Sequence, residues 1–316
     1  MEMAQVLAEP GDVRHGFSYY TSFNHDFGHI TGIAATRNGN IMLCDYDNKN
    51  LILVDPSGIM LKHLCVDSEP YDLTITSQNI GFITLPNTRS LLQIHPDRMV
   101  ILFKAKCDDL NTSVLCVSAI PNTGEDVISN FACFLGIKRH GSFYAMPFFK
   151  RCDEEINFRK LTDVVDQGGQ PGQYIYPFPV HSRVLKFHAL DEKSVFTCKG
   201  GQNYITYSQQ YEFHGNITIA TIDTPSDICN DDYKHIYISG QGSNILHRLK
   251  WDGKVVLDLR VHDKNAHDWK VIDIPLDSKH GINKPVAMCF NQNYTKFYVV
   301  NEWGKSVLWS LMFIDD

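Results

Sequence analysis

Apolar residues in this chain come in short runs separated by polar turns. In Gly39–Gly58, GNIMLCDYDNKNLILVDPSG, the runs Ile41–Cys44 and Leu51–Val54 flank the polar stretch Asp45–Asn50. Each run is followed by a turn signal, and short apolar runs bounded by Asn, Asp, Gly and Pro read as strands. The scheme recurs. Starting one strand earlier, TGIAATRNGNIMLCDYDNKNLILVDPSGIMLKHLCV passes through run and turn four times. Stretches beginning at Glu69, Thr224 and Lys284 repeat an inner strand, a polar turn, a β-rich second strand, another turn and a third strand. The first two go on to a fourth strand, which in the unit from Thr224 falls at Lys254–Val261. Ile236–Ser239 and Phe297–Asn301 have strand periodicity, and no long stretch has the period of a helix.

Four-stranded units recurring at roughly 40–45 residues predict a β-propeller. Two less regular units begin near Ser113 and Ser182, so inner strands are expected near Thr31, Tyr71, Val114, Ser182, Ser226 and Val286. The two long intervals place insertions at about 138–180 and 262–284. The last unit stops after its third strand, and an unpaired blade edge would leave N–H and C=O groups unsatisfied. Ala4–Ala8 has no unit of its own and is expected to supply the missing strand. The expected fold is all-β: one domain over residues 1–316, a six-bladed β-propeller of four-stranded antiparallel blades, closed by an N-terminal strand joining the last blade.

Blade one carries Asp45-x-x-Asn48-x-x-Leu51 and then Pro56-Ser57-Gly58, and blade five carries Asn244-Ile245 and Trp251-Asp252-Gly253-Lys254. These resemble the NHL repeat over nearly the whole chain, best in blades one, two, five and six. The resemblance implies a six-bladed propeller like the C-terminal recognition domain of tripartite-motif ubiquitin ligases. RING, B-box and coiled-coil signatures are absent from the sequence, so ligase chemistry is not expected in this chain. Some NHL propellers bind RNA through a basic face, which makes RNA binding the alternative reading.

Charge narrows the partners. Twenty-nine basic against 36 acidic residues give a net charge of -7, unlike domains held on nucleic acid by bulk charge. A protein partner is therefore expected, with RNA the alternative and no DNA. The longest apolar run, Met99–Phe103, is far short of the ~18 residues that span a bilayer. The N-terminus lacks the basic and apolar regions of a secretory signal, so a cytoplasmic location without membrane contact is expected. Cys44, Cys116 and Cys289 sit in strand-like runs, as buried free thiols of a reduced compartment do.

In a propeller, the loops joining second to third strands share a face and are free to vary. Asp45–Asn50, Pro86–Arg89, Gly240–Asn244 and Asn301–Lys305 are such loops. They offer Tyr46, Asn48, Lys49, Arg89, Gln241, Asn244, Glu302, Trp303 and Lys305 as partner-binding residues, Trp and Arg being types enriched in binding hot spots. Asp45, Asp47, Asn48 and Gly242 also suit turn geometry.

Lys138–Lys160 interleaves basic and aromatic residues, the pairing that single-stranded nucleic acid uses. His262, Asp263, His267 and Asp268 have metal-ligand chemistry without a motif spacing. No G-x-S-x-G, P-loop, H-E-x-x-H or G-x-G-x-x-G occurs, so neither catalytic residues nor a cofactor is expected. The enzyme alternative is a calcium-dependent lactonase or hydrolase of the six-bladed class, which this sequence would serve with Glu69, Asp72, Asp227 and Asn283.

Overall fold

The computed structural model describes residues 15–23, 26–106, 113–120, 131–139, 142–149, 178–180, 186–191, 194–198, 201–209, 212–252, 269–304 and 308–315. Strand β1 (His15–Phe23) opens the described chain. One sheet follows from β2 (Ile30–Ala35), β3 (Ile41–Asp45), β4 (Asn50–Val54) and β5 (Met60–Cys65). A second holds β6 (Asp72–Ile75), β7 (Gly81–Leu85), β8 (Ser90–His95) and β9 (Val100–Lys106). A third holds β10 (Ser113–Ala119), β11 (Phe131–Arg139), β12 (Ser142–Phe149) and β13 (Phe178–Val180), and a fourth β14 (Lys186–Ala189), β15 (Ser194–Cys198), β16 (Tyr204–Gln209) and β17 (Glu212–Thr218). The fifth comprises β18 (Pro225–Asn230), β19 (Ile236–Gly240), β20 (Ile245–Trp251) and β21 (Trp269–Leu276). Strands β22 (Pro285–Phe290), β23 (Lys296–Asn301) and β24 (Leu308–Asp315) complete the sixth sheet with β1.

All six sheets are antiparallel and four-stranded. The first strands β2, β6, β10, β14, β18 and β22 touch in that order, and β22 returns to β2. The result is an all-β, propeller-like fold whose described residues contain only three short 3-10 turns as helix. Among the described residues no helix is long and apolar enough to cross a membrane.

Burial explains why the sequence shows runs rather than alternation. Strands β3, β7, β15 and β19 are buried at every residue, because the sheet on either side covers both faces. The outer strands differ. Met60 and Leu61 on β5, and Val100 and Leu102 on β9, are exposed. Lys62 and Lys104 on these edges discourage pairing with another chain.

Side chains stitch neighbouring first strands together. Thr31 Oγ1 donates to the Pro70 carbonyl at 3.1 Å, and Ser226 Oγ donates to the Pro285 carbonyl at 2.7 Å. Asp72 Oδ2 accepts from the Val117 N–H at 3.0 Å, and Asp227 Oδ2 accepts from the Met288 N–H at 2.7 Å. The Ala189 N–H donates to Ser118 Oγ at 2.9 Å, and Gln292 Nε2 donates to the Ala35 carbonyl at 3.2 Å.

Several expectations are corrected. The strand that joins the last sheet is His15–Phe23, in register from His15 opposite Asp315 to Phe23 opposite Leu308. Ala4–Ala8 lies outside the described residues. Aromatic content gives the true strand its grip, since Phe17 packs on Tyr237 and Phe297 of the fifth and sixth sheets. The fourth strand of the fifth sheet is Trp269–Leu276, inside the supposed insertion. Trp269 anchors it against Phe196, Tyr207 and Trp251, a gain in burial that the flanking His, Asp and Pro residues conceal in sequence. Residues 253–268, with His262, Asp263, His267 and Asp268, lie outside the described residues. The insertion expected at 138–180 is entered by β11 and β12, which pair from Phe131 opposite Phe149 to Arg139 opposite Ser142. The aromatic-rich stretch Phe143–Phe149 is therefore strand, and residues 150–177 lie outside the described set. The fourth sheet's first described strand is Lys186–Ala189, and residues 181–185, with Ser182, lie outside the described residues.

Among the described cysteines, Cys44, Cys116, Cys198 and Cys229 are buried and free, Cys289 is half-buried and Cys65 is exposed. Burial pushes the four buried thiols well above their ordinary range. Because the thiolate is the reactive form, iodoacetamide added to native protein should label Cys65 first among the described cysteines. The four buried thiols should label only after denaturation, as read by peptide mass mapping. Native labelling of Cys44 or Cys116 at the Cys65 rate would contradict their burial.

Candidate functional site

Three of the predicted loops share one construction. Lys49, Arg89 and Asn244 have left-handed backbones, with φ of 53°, 53° and 57°. Each closes its turn by donating its N–H backwards, Lys49 to Tyr46 at 3.4 Å, Arg89 to Pro86 at 3.1 Å and Asn244 to Gly240 at 2.9 Å. In the loop after β23 the strained pair is Glu302 and Trp303, at φ 48° and 61°. Left-handed backbone costs an L-residue roughly 1–2 kcal/mol, and here it holds an exposed indole in place. Trp303 is 39% exposed.

Contacts between loops join part of the predicted set into a patch. The Trp303 ring meets the His29 ring edge-on at 6.1 Å. His29 Nδ1 lies 2.7 Å from Asp47 Oδ2, which also accepts the His29 N–H at 3.0 Å. One residue away, the Tyr46 hydroxyl accepts from Asn87 Nδ2 at 3.4 Å, and the same nitrogen donates to Glu69 Oε2 at 2.9 Å. Glu69 Oε1 pairs with Lys49 Nζ at 3.0 Å. The Asn87 bond, the residue's own N–H, Lys49 and Ser68 hold the Glu69 carboxyl down to about 2.

The patch thus runs from the sixth sheet across the first to the second. Of the nine predicted residues, it gathers Tyr46, Lys49 and Trp303. Asn48 is exposed but tied inward, donating its N–H and Nδ2 to the buried Asp45 carboxylate at 3.2 and 2.9 Å. Asn244 is likewise committed, accepting the Lys284 N–H at 2.7 Å. Arg89, Gln241 and Glu302 occupy the expected loops without joining the patch, and Lys305 lies outside the described residues. His29, Asp47 and Asn87 complete the patch, and sequence reading passes them over because their partners are on other loops.

A second concentration of chemistry lies at the centre. A cavity of about 340 Å³ is lined by residues from all six first strands. Its wall includes Asp72, Lys186 and Asp227, each at most 8% exposed. Lys186 Nζ is ion-paired with Asp72 Oδ1 and lies 5.6 Å from the Tyr71 ring centre. Burial alone would lower Lys186, but Asp72, Asp227 and Tyr71 reverse this and hold its ammonium above the ordinary lysine value. Asp227 accepts the Ile228 N–H at 2.9 Å in addition to that of Met288. Burial, opposed by Lys186 and reinforced by Asp72, pushes its carboxyl up to about 7. Nearby, burial takes His188 down to about 4, with Nε2 held 2.6 Å from Asn230 Oδ1.

This centre is not the calcium set of the enzyme alternative. Asp72 is taken by Lys186 and the Val117 N–H, and Glu69 belongs to the loop patch. Asn283 donates its N–H to Asn301 Oδ1 at 3.1 Å, on another loop. Among the described residues no group of three or more His, Cys, Asp or Glu side chains is placed to hold a metal ion.

Solved structures of similar architecture include virginiamycin B lyase from Staphylococcus aureus, at 11% identity and TM-score 0.57, covering 94% of this chain and 100% of that one. A streptogramin B lyase aligns at 10% identity and TM-score 0.54, covering 94% and 98%. Kuenenia stuttgartiensis hydrazine synthase aligns at 12% identity and TM-score 0.57, covering 91% and 83%. The fold is a β-propeller. At such identities the likeness extends to the fold alone. No protein-family model matches the sequence, and no curated protein matches it.

Proposed function

We propose that this β-propeller is a non-catalytic recognition scaffold, six-bladed and NHL-like, that binds a partner protein through the loop face around Trp303. The observation that supports this reading is the continuous patch Trp303–His29–Asp47–Tyr46–Asn87–Glu69–Lys49, built from three adjacent sheets. An exposed Trp on strained backbone, ringed by hydrogen-bonded polar side chains, has the make-up of an interface anchor with a polar rim. Arg89, Gln241, Glu302 and Lys305 extend the contact surface in this reading, and the scaffold serves as the substrate-recognition part of a tripartite-motif-type assembly.

The test is quantitative affinity capture from cell extract with and without nuclease treatment, comparing the unmodified protein with Trp303→Ala/Tyr46→Ala. Truncating an anchor costs about 2 kcal/mol or more, which converts to a loss of roughly thirtyfold in affinity. The specific partners should therefore fall away in the double variant while its melting temperature holds. Recovery of the same proteins in the same amounts would remove the patch from the reading. Capture that disappears with nuclease alone would favour RNA.

A further inference from the structure

The central cavity carries an electrostatic imbalance. Three charged side chains line it among the described residues, two carboxylates and one ammonium. Lys186 closes its ion pair on Asp72. No cationic side chain among the described residues forms a salt bridge with Asp227, which is 8% exposed. Among the described residues, its carboxylate accepts hydrogen bonds from the Ile228 and Met288 N–H groups. The rest of the lining is mixed, with the apolar side chains of Ile33, Ile75, Ile120, Ile228, Met288 and Phe290 beside polar ones such as His188 and Asn230. Lys186 pairs with Asp72 and also acts electrostatically on Asp227, so one ammonium serves two buried carboxylates. A buried carboxylate is costly, and a ligand that brings a second cation offsets that cost.

We propose that the central cavity is a binding site for a small organic monocation, an ammonium group on an apolar body, with Asp227 as its counter-ion. The volume of about 340 Å³ falls within the range of small-molecule pockets. Among the described residues the lining carries two carboxylates and one ammonium, a net charge of minus one when all are ionised. That charge excludes anions and selects a single cation over a dication. The apolar side chains of this mixed wall accept alkyl surface. Burial raises the Asp227 carboxyl, and the Asp72 charge adds to this against the opposing Lys186. The site is independent of the loop patch, since it shares none of the patch residues.

The test uses a matched pair of probes in amine-free phosphate buffer at pH 8, cyclohexylammonium and cyclohexanol, followed by titration calorimetry. They differ in the charged group and little in shape. The expected result is saturable one-site binding of the ammonium, with the alcohol weaker by on the order of tenfold or more. Asp227→Asn should erase that preference while leaving the alcohol's affinity unchanged. Equal binding of the two probes by the unmodified protein, or no saturable binding of the ammonium at millimolar concentration, overturns the proposal. So does an undiminished ammonium preference in Asp227→Asn. The comparison of the two probes on unmodified protein stands even where the variant fails to fold.

Discussion

Replacing Lys186 by Met should destabilise the propeller by about 3–5 kcal/mol at pH 8, the usual loss when a buried ion pair is broken from one side. Methionine nearly matches the volume of the lysine stem, so little of the loss comes from packing. The rest of the site stays in place, and Asp72 and Asp227 then face each other's charge with no cation between them. The pH dependence separates this cause from a cavity effect. In the unmodified protein the Asp227 carboxyl sits at about 7 when folded, against about 3.9 when unfolded. A group raised in this way contributes stability that is fully present below about pH 3.9 and is lost as pH rises through about 7. Removing Lys186 takes away a term that lowers Asp227, so in the variant this loss extends to higher pH. Urea midpoints at pH 5, 7 and 8.5 should show variant and parent closest at pH 5 and furthest apart at 8.5. A gap of constant size across that range would mean that packing alone was lost.

Asp273→Ala is the second large effect, again about 3–5 kcal/mol. Arg248 on β20 is 1% exposed. Its Nε donates to Asp273 Oδ1 at 2.8 Å, and its Nη2 is ion-paired with Asp273 Oδ2 on β21. The guanidinium also lies near the Tyr237 hydroxyl at 3.4 Å, which in turn donates to Asp231 at 3.0 Å. Truncating Asp273 takes the two-point carboxylate contact from the buried guanidinium and unties the outer strand of the fifth sheet. Asp273→Asn keeps one acceptor and should recover part of the loss. Denaturant midpoints measure both, and hydrogen exchange should show faster opening of Trp269–Leu276 before the rest of the sheet. A change under 1 kcal/mol in Asp273→Ala would mean that Asp231 and Tyr237 suffice for Arg248.

Much of this architecture can be read from residue order, for a physical reason. Second strands such as Ile41–Asp45 and Ile236–Gly240 are buried on both faces, so they appear as unbroken apolar runs between turn residues. The outer strands are legible only where chemistry marks them. His15–Phe23 is held by aromatic contacts to sheets at the far end of the chain, and Trp269–Leu276 by a cluster of four aromatic rings. Neither set of contacts is local, so local pattern points to Ala4–Ala8 and Lys254–Val261 instead.

The loop residues divide in the same way. Lys49, Arg89 and Asn244 could be located because one turn type recurs, yet the turn itself explains why they are there. What distinguishes Tyr46 and Trp303 is the company of Asn87 and His29, which only the ring's geometry supplies. At the centre, Asp72 and Asp227 could be picked out as carboxylates at strand entrances, but Lys186 in VLKFHAL reads like any solvated lysine. Its burial is a property of the closed ring and of no segment within it.

The pairing of β1 with β24 also orders events during synthesis. His15–Phe23 leaves the ribosome well before its partner Leu308–Asp315. In between, the early strand waits with an open edge while five sheets assemble beside it. The sixth sheet therefore closes only after Leu308–Asp315 has been made. Any nascent chain released early keeps a bare, aromatic-rich strand exposed, which marks it for chaperones and for disposal.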